Sequence, residues 1–237
     1  MMRRALTDEV KRSLRAELLR ILEENVDLLR RAGWIVTDAE SPKWWDGVET
    51  VDELLISSIL VQMTKWETVK KVLLKMREKG VNSLEKLSQL SEEEIAELIR
   101  QVNFYRTKAK RLKVLSEITS KIGVEKLVKD EKSLKDIEGI GDETAEALLL
   151  FAGNIPVFPR SNYAKRVVSR VLNVELTREE AREIVEELVG KDLYKLKLVH
   201  AGIVTVGKLY CFSKPKCNSC VFKEFCKYYN VNRNETL

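Results

Sequence analysis

Apolar residues recur three and four positions apart through EVKRSLRAELLRILEENVDLLRRAG, and the pattern stops at Gly33. That spacing lays one apolar stripe along a 3.6-residue helix, and a glycine just past the stripe is a common stop. The same periodicity returns around 51–63, 66–79, 91–102 and 105–121. Strand-like alternation is nearly absent. The few prolines and glycines read as separators between these runs, as in GWIVTDAESPKWWDG and FAGNIPVFPRSN. Neither a fixed-period repeat nor a low-complexity linker interrupts them. An all-α chain with short connections is expected, becoming loop-rich after Tyr210.

Composition bounds this picture without redirecting it. The 237 residues are 44% hydrophobic and 33% charged, enough for one large domain or two small ones. No run approaches the ~18 apolar residues that span a bilayer. The opening MMRRALTDEVKR lacks a signal-peptide core, so a cytosolic chain is expected. A formal charge of +5, from 42 basic and 37 acidic residues, is compatible with a polyanionic partner but too mild to name one. Glutamine occurs only at 62, 89 and 101 while Lys and Glu abound, a bias shared with ion-pair-rich thermophile proteins.

The cysteines change the picture. Cys211, Cys217, Cys220 and Cys226 follow Cys-x5-Cys-x2-Cys-x5-Cys, with none elsewhere. Four thiols so close together in a reducing compartment read as one metal site. Spacing alone leaves zinc and an iron–sulfur cluster open. Lys214, Lys216, Lys223 and Lys227 are interleaved with them. They either offset a negative site or present a basic rim to a phosphate backbone.

A second motif lies in LKDIEGIGDETAEALLLFAG, where Gly139 and Gly141 precede an apolar helix. Glycines there permit positive φ and expose backbone N–H groups at a helix N-terminus, a geometry suited to a phosphate oxygen. With the preceding helix this makes a helix-hairpin-helix element.

Together these segments resemble the endonuclease III branch of the helix-hairpin-helix DNA glycosylases, from about Trp44 to Cys226. WWDG followed by LLISSILVQMTKWETVKKVL is similar to that family's first barrel helices, VNFYRTKAKRL to its Phe-Tyr-x-x-Lys-Ala segment, and HAGIVTVGKLYC to the approach to its iron–sulfur loop. The double tryptophan and Gly-Ile-Gly-x-Glu-Thr-Ala resemble the subgroup that includes monofunctional glycosylases for alkylated purines. The resemblance implies a [4Fe-4S] cluster on the four cysteines, with zinc as the alternative, although their first spacing is one residue short of the commonest family pattern. It implies that Gln62 fills the hole left by an extruded base, and that Trp44, Trp45 and Trp66 build or neighbour the pocket that stacks on it. It places Tyr105 and Lys108 in a structural, backbone-contacting stretch.

Two departures from the family follow. Where bifunctional members carry a Schiff-base lysine, this chain carries Glu143, so simple hydrolysis is implied. Where the subgroup has an aspartate before x-Tyr-x-x-Arg, it carries Ser161, which can cap the helix NYAKRVVSRVL but cannot supply the charge. Losing such an electrostatic contact typically costs ~100- to 1000-fold in rate. Asp46, Glu143 and Asp142 are candidate replacement acids, and Lys65 and Lys165 nominees for a substitute lyase. Arg160 precedes Ser161 as a cation, and His200 is expected to pack near the cysteines.

The expectation is thus an all-α helix-hairpin-helix glycosylase fold. Residues 1–44 and 156–237 form a cluster domain with its loop at 211–226, and 45–155 a helical barrel with the hairpin at about 134–152. The groove between them is expected to hold kinked duplex DNA. The expected protein is a monomeric, nucleoid-associated base-excision enzyme acting on duplex DNA that carries a damaged base or an abasic site. The alternatives are a non-excising lesion binder and an abasic-site lyase.

Overall fold

The computed structural model describes residues 8–232, with side chains from Arg12 onward. The readings made of residues 1–7 and of the last five residues lie outside it. Among the described residues there are helices, turns and one isolated β-bridge, between Trp34 and Trp45, but no strand. No helix is long and apolar enough to cross a membrane. The chain divides into two compact units, residues 1–32 with 156–237 and residues 33–155.

The middle unit runs from Gly33 through α3 (Val51–Leu60), α4 (Trp66–Glu78), α5 (Leu84–Ser88), α6 (Glu92–Leu98), α7 (Tyr105–Ile122), α8 (Val124–Leu127) and α9 (Glu131–Lys135) to α10 (Asp142–Phe151). Helix α3 is buried on every face from Glu53 to Leu60, as a central helix must be, and Thr50 caps it by accepting from Glu53 N. Its fully buried Leu55 and Ile59 would each cost about 2–5 kcal/mol if cut to alanine. It ends three residues short of the run read from periodicity, because Met63 turns left-handed at φ 55°.

The other unit contains α1 (Asp8–Glu24), α2 (Val26–Arg31), α11 (Asn162–Leu172), α12 (Arg178–Val189), α13 (Leu193–Leu209) and α14 (Lys227–Asn232). The first periodic run breaks at Asn25, whose side-chain amide donates to Ile21 O at 2.8 Å in competition with the backbone ladder. Helix α13 is the core of this unit, buried continuously from Leu196 to Gly207. Two glycines read as separators lie inside it instead. At Gly207 a Cβ would come within 2.4 Å of the Tyr163 ring, so α11 packs directly on the α13 backbone.

Candidate nucleic-acid interface and cysteine site

In the middle unit, the turn after α3 is held from below by the opening of α7. Lys108 is 2% exposed, and its Nζ donates to Leu60 O at 2.8 Å, Gln62 O at 2.6 Å and Thr64 Oγ1 at 2.9 Å. Burial, with the Arg111 charge nearby, pulls its pKa down to about 8, against the three acceptors that favour the ammonium. Expected to contact the nucleic-acid backbone, Lys108 instead has its donors consumed inside the protein. Asn103 adds bonds to Met63 O at 2.5 Å and from its own N–H to Thr64 Oγ1 at 3.2 Å.

The two turns so joined present large apolar side chains to solvent: Met63 is 79% exposed and Phe104 67% exposed. Both are non-glycine residues in left-handed backbone, at φ 55° and 56°, a conformation that costs of order 1 kcal/mol or more and concentrates at functional sites. The sequence reading missed them. The available signal was an apolar residue in each loop at a helix boundary, where a side chain cannot join its helix's buried stripe.

Gln62 lies between this crest and the hairpin. Its Nε2 donates to Gly139 O at 2.8 Å and to Ser58 O at 3.3 Å, while Arg111 Nη1 approaches its Oε1 at 3.4 Å. Of the hairpin glycines, Gly139 has φ 93° and no room for a side chain, since a Cβ would meet Arg111 Cζ at 2.8 Å. Gly141 has φ −88° and ψ −179°, extended backbone open to any residue; what it supplies is uncovered space at the start of α10. Asp142 pairs with Lys135 at 2.7 Å, and Glu143 stands half-buried in the first turn of α10.

The tryptophans divide. Trp44 is fully buried, with Nε1 donating to Asp38 O at 3.0 Å, so it is a core residue rather than a stacking face. Trp45 packs against Trp34, Trp66 and Phe151 at ring-centroid distances of 6.4, 6.0 and 5.8 Å, and its buried Nε1 has no hydrogen-bond partner. Trp66 Nε1 donates to Asp46 O at 2.9 Å. Trp34 and Phe151 join this cluster without having been singled out. The Asp46 carboxylate is bonded to Lys70 Nζ at 2.7 Å, which Glu67 also contacts at 3.0 Å. Beneath this loop Arg77 donates to Gly47 O and to buried Glu53, the latter at 2.7 Å from Nε, and fixes the loop to α3. Lys65, the N-terminal flanking residue of α4, makes no side-chain cap.

In the other unit, Ser161 is 1% exposed with φ −110° and ψ 156°, and its Oγ accepts from Ala164 N at 2.9 Å. It is the N-cap of α11. Arg160 pairs with Glu179 at 3.1 Å, and buried His200 stacks edge-on to Phe158 at 5.8 Å. Burial drives the His200 pKa down to about 3, so the ring is neutral. Lys165 lies on α11, beyond the cap.

The same helix holds the cysteine loop. Arg166 Nε donates to Cys211 O at 2.6 Å, and Arg170 donates to Cys211 Sγ at 3.2 Å and to Phe212 O. Cys211, Cys217, Cys220 and Cys226 all line one small cavity, with Arg170, Tyr210 and Tyr228 among the other walls. Burial and the neighbouring sulfurs push Cys220 up to about 12 and raise Cys217 and Cys226. Four thiols around one cavity, with no carboxylate in the lining, are a donor set that suits a soft metal or an iron–sulfur cluster. Among the described residues no group of three or more His, Cys, Asp or Glu is drawn together to metal-ligand spacing.

The chain is similar to several known DNA repair proteins. The "Putative DNA repair glycosylase" of Methanocaldococcus jannaschii is 36% identical over 194 residues, spanning 77% of this chain and 88% of that protein. The thymine-DNA glycosylase of Aeropyrum pernix is 26% identical over 86% of this chain and 96% of its own length. Among solved structures, a thermostable thymine-DNA glycosylase matches with a TM-score of 0.72 at 21% identity, covering 95% of this chain and 99% of that one. The 3-methyladenine DNA glycosylase of H. pylori bound to 1,N6-ethenoadenine matches at 0.63 and 26% identity, covering 81% and 97%. The HhH-GPD family, described as base excision DNA repair proteins, matches residues 56–191. With its hairpin, its buried central helix and a family match over more than half its length, this chain belongs to the HhH-GPD superfamily of base excision DNA repair proteins.

Proposed function

We propose that the protein is a monofunctional DNA glycosylase that hydrolyses the bond between sugar and damaged base in duplex DNA, on labile cationic bases such as alkylated purines. The observation that carries this reading is the crest of Gln62, Met63 and Phe104 beside the hairpin at Gly139. Exposed apolar residues in strained turns gain by entering a base stack, and a glutamine beside them can occupy the space of a flipped base. Trp45 and Trp66, both half-exposed and packed edge to face, offer aromatic surface for that base.

Glu143, in the first turn of α10 just after the hairpin, cannot form a Schiff base, which argues against the lysine-dependent lyase route. Ser161, consumed as a helix cap, supplies no charge to an oxocarbenium-like sugar. A base that leaves readily, as an alkylated purine carrying positive charge does, needs least from that position. Cys211, Cys217, Cys220 and Cys226 would hold a [4Fe-4S] cluster, with zinc as the alternative. Either would crosslink the loop after α13, and the exposed Lys214, Lys216 and Lys227 beside it would offer a rim for phosphates. The protein works on DNA as a monomer, near the nucleoid.

A second reading, a lesion or abasic-site binder that does not excise, is favoured by one observation. Asp46 and Asp142, two of the candidate acids, are each paired to a lysine at 2.7 Å. Single-turnover assays on end-labelled duplexes carrying alkylated, deaminated, oxidised or abasic sites, with and without alkali, separate the readings. Strand breaks at one base class only after alkali support the glycosylase. Breaks without alkali at abasic sites assign lyase chemistry, and tight binding without any reaction assigns the sensor. Iron and acid-labile sulfide analysis of anaerobically purified protein tests the cluster, and zinc content the alternative.

A further inference from the structure

The side chain between Gln62 and the hairpin has no assigned role. Arg111, on α7, reaches Gln62 Oε1 with Nη1 at 3.4 Å and Glu138 Oε1 with Nη2 at 3.3 Å. Its guanidinium lies against Gly139, where a Cβ would come within 2.8 Å of Cζ. Its Nε is buried without a partner. An arginine whose Nε is buried and unpaired, and whose other nitrogens hold only long bonds, is poorly satisfied for a structural ion pair. Its placement makes sense as a spacer whose planar fork touches the Gln62 amide and the hairpin at once.

On the proposed function, that amide would enter the DNA helix and that hairpin would meet the phosphates. With Oε1 turned to Arg111, the Gln62 amide presents Nε2 to Gly139 O at 2.8 Å. Arg111 therefore decides which way the amide faces, and Gly139 decides where Arg111 lies. We infer that Arg111 is a positioning residue that couples the hairpin to Gln62, so that hairpin contact with the DNA backbone and occupation of the base gap by Gln62 occur as one event. This inference rests on the proposed binding of duplex DNA, and goes beyond it by naming what links two of its parts.

The test uses a duplex with a tetrahydrofuran abasic analogue opposite 2-aminopurine, which reports gap occupation by fluorescence without needing excision, alongside affinity from anisotropy. Arg111→Met, Arg111→Lys, Gln62→Ala and the Arg111→Met/Gln62→Ala double variant are compared. Removing a positioning hydrogen-bond pair is expected to weaken gap occupation roughly tenfold. Arg111→Met and Gln62→Ala should each show that loss, the double variant should add little to either, and Arg111→Lys should fail to rescue because an ammonium cannot span both partners. Gly139→Ala should reproduce the Arg111→Met loss by displacing the guanidinium, with thermal melting recorded for every variant. Additive losses, or full gap occupation in Arg111→Met, overturn the coupling while leaving DNA binding intact. Failure of the unsubstituted protein to bind this duplex sinks both the coupling and the proposed function.

Discussion

Ser161 offers the sharpest test, because its two possible jobs predict opposite results. Its Oγ accepts from Ala164 N at 2.9 Å, and at 1% exposure water cannot replace it. Ser161→Ala should therefore cost about 1 kcal/mol for the lost cap, rising towards about 2 kcal/mol because the freed N–H is buried. For a chain of this size that lowers the melting temperature by about 2–8 °C. Ser161→Asp keeps an acceptor for Ala164 N and adds charge at the start of α11, favourable by about 0.5–1 kcal/mol against the cost of burying it. Its melting temperature should stay near that of the unsubstituted protein. Its excision rate should rise, by up to ~100- to 1000-fold if the carboxylate supplies the missing stabilisation of a cationic sugar. Scanning fluorimetry and single-turnover base release on an alkylated duplex measure both. If Ser161→Ala melts normally but abolishes an excision that the parent performs, Ser161 is doing chemistry and the cap account is wrong. If Ser161→Asp folds normally and gains no rate, the acid lies elsewhere.

Met63→Gly should raise stability by about 1 kcal/mol by relieving the left-handed backbone at φ 55°, and Phe104→Ala should leave melting unchanged, yet both should weaken binding to an abasic duplex about tenfold. Unaltered affinity in both would remove the crest from the interface. Gly141→Ala, at φ −88° and in open space, should change stability by less than about 0.5 kcal/mol, so any loss of DNA affinity reports close backbone approach; Gly139→Ala should destabilise through both φ 93° and Arg111. Lys108, lowered to about 8 when folded, binds fewer protons than an unfolded lysine at 10.5, so its contribution to stability should rise as pH increases from about 8 to 10.5. Urea denaturation of the parent and Lys108→Met at pH 8 and pH 10 checks this, and equal pH slopes in the two proteins would contradict the depressed value.

Periodicity alone placed α1 with α2, α3, α4, α6 and α7, because a buried stripe every three to four residues is a local property of the chain; it did not single out α13, which is buried continuously from Leu196 to Gly207. The cysteine spacing singled out four thiols, and they line one cavity, held by Arg166 and Arg170 from the helix that Ser161 caps, without being drawn together to metal-ligand spacing. Local pattern could not rank adjacent residues of the same type. Trp44 and Trp45 are neighbours in sequence and both pack on Phe151, yet Trp44 is fully buried with its Nε1 bonded to Asp38 O while Trp45 keeps an unpaired Nε1. Nor could it turn a lysine inward: Lys108 finds its acceptors 44–48 residues away, and Gln62 finds Gly139 O at a separation of 77. A buried polar group is stable only where partners converge on it, and which partners converge is set by how helices pack. The sequence determined the helices, the thiol set and the residues that chemistry could use; tertiary packing decided which of them face inward, which are held ready, and that Met63 and Phe104 stand exposed beside Gln62.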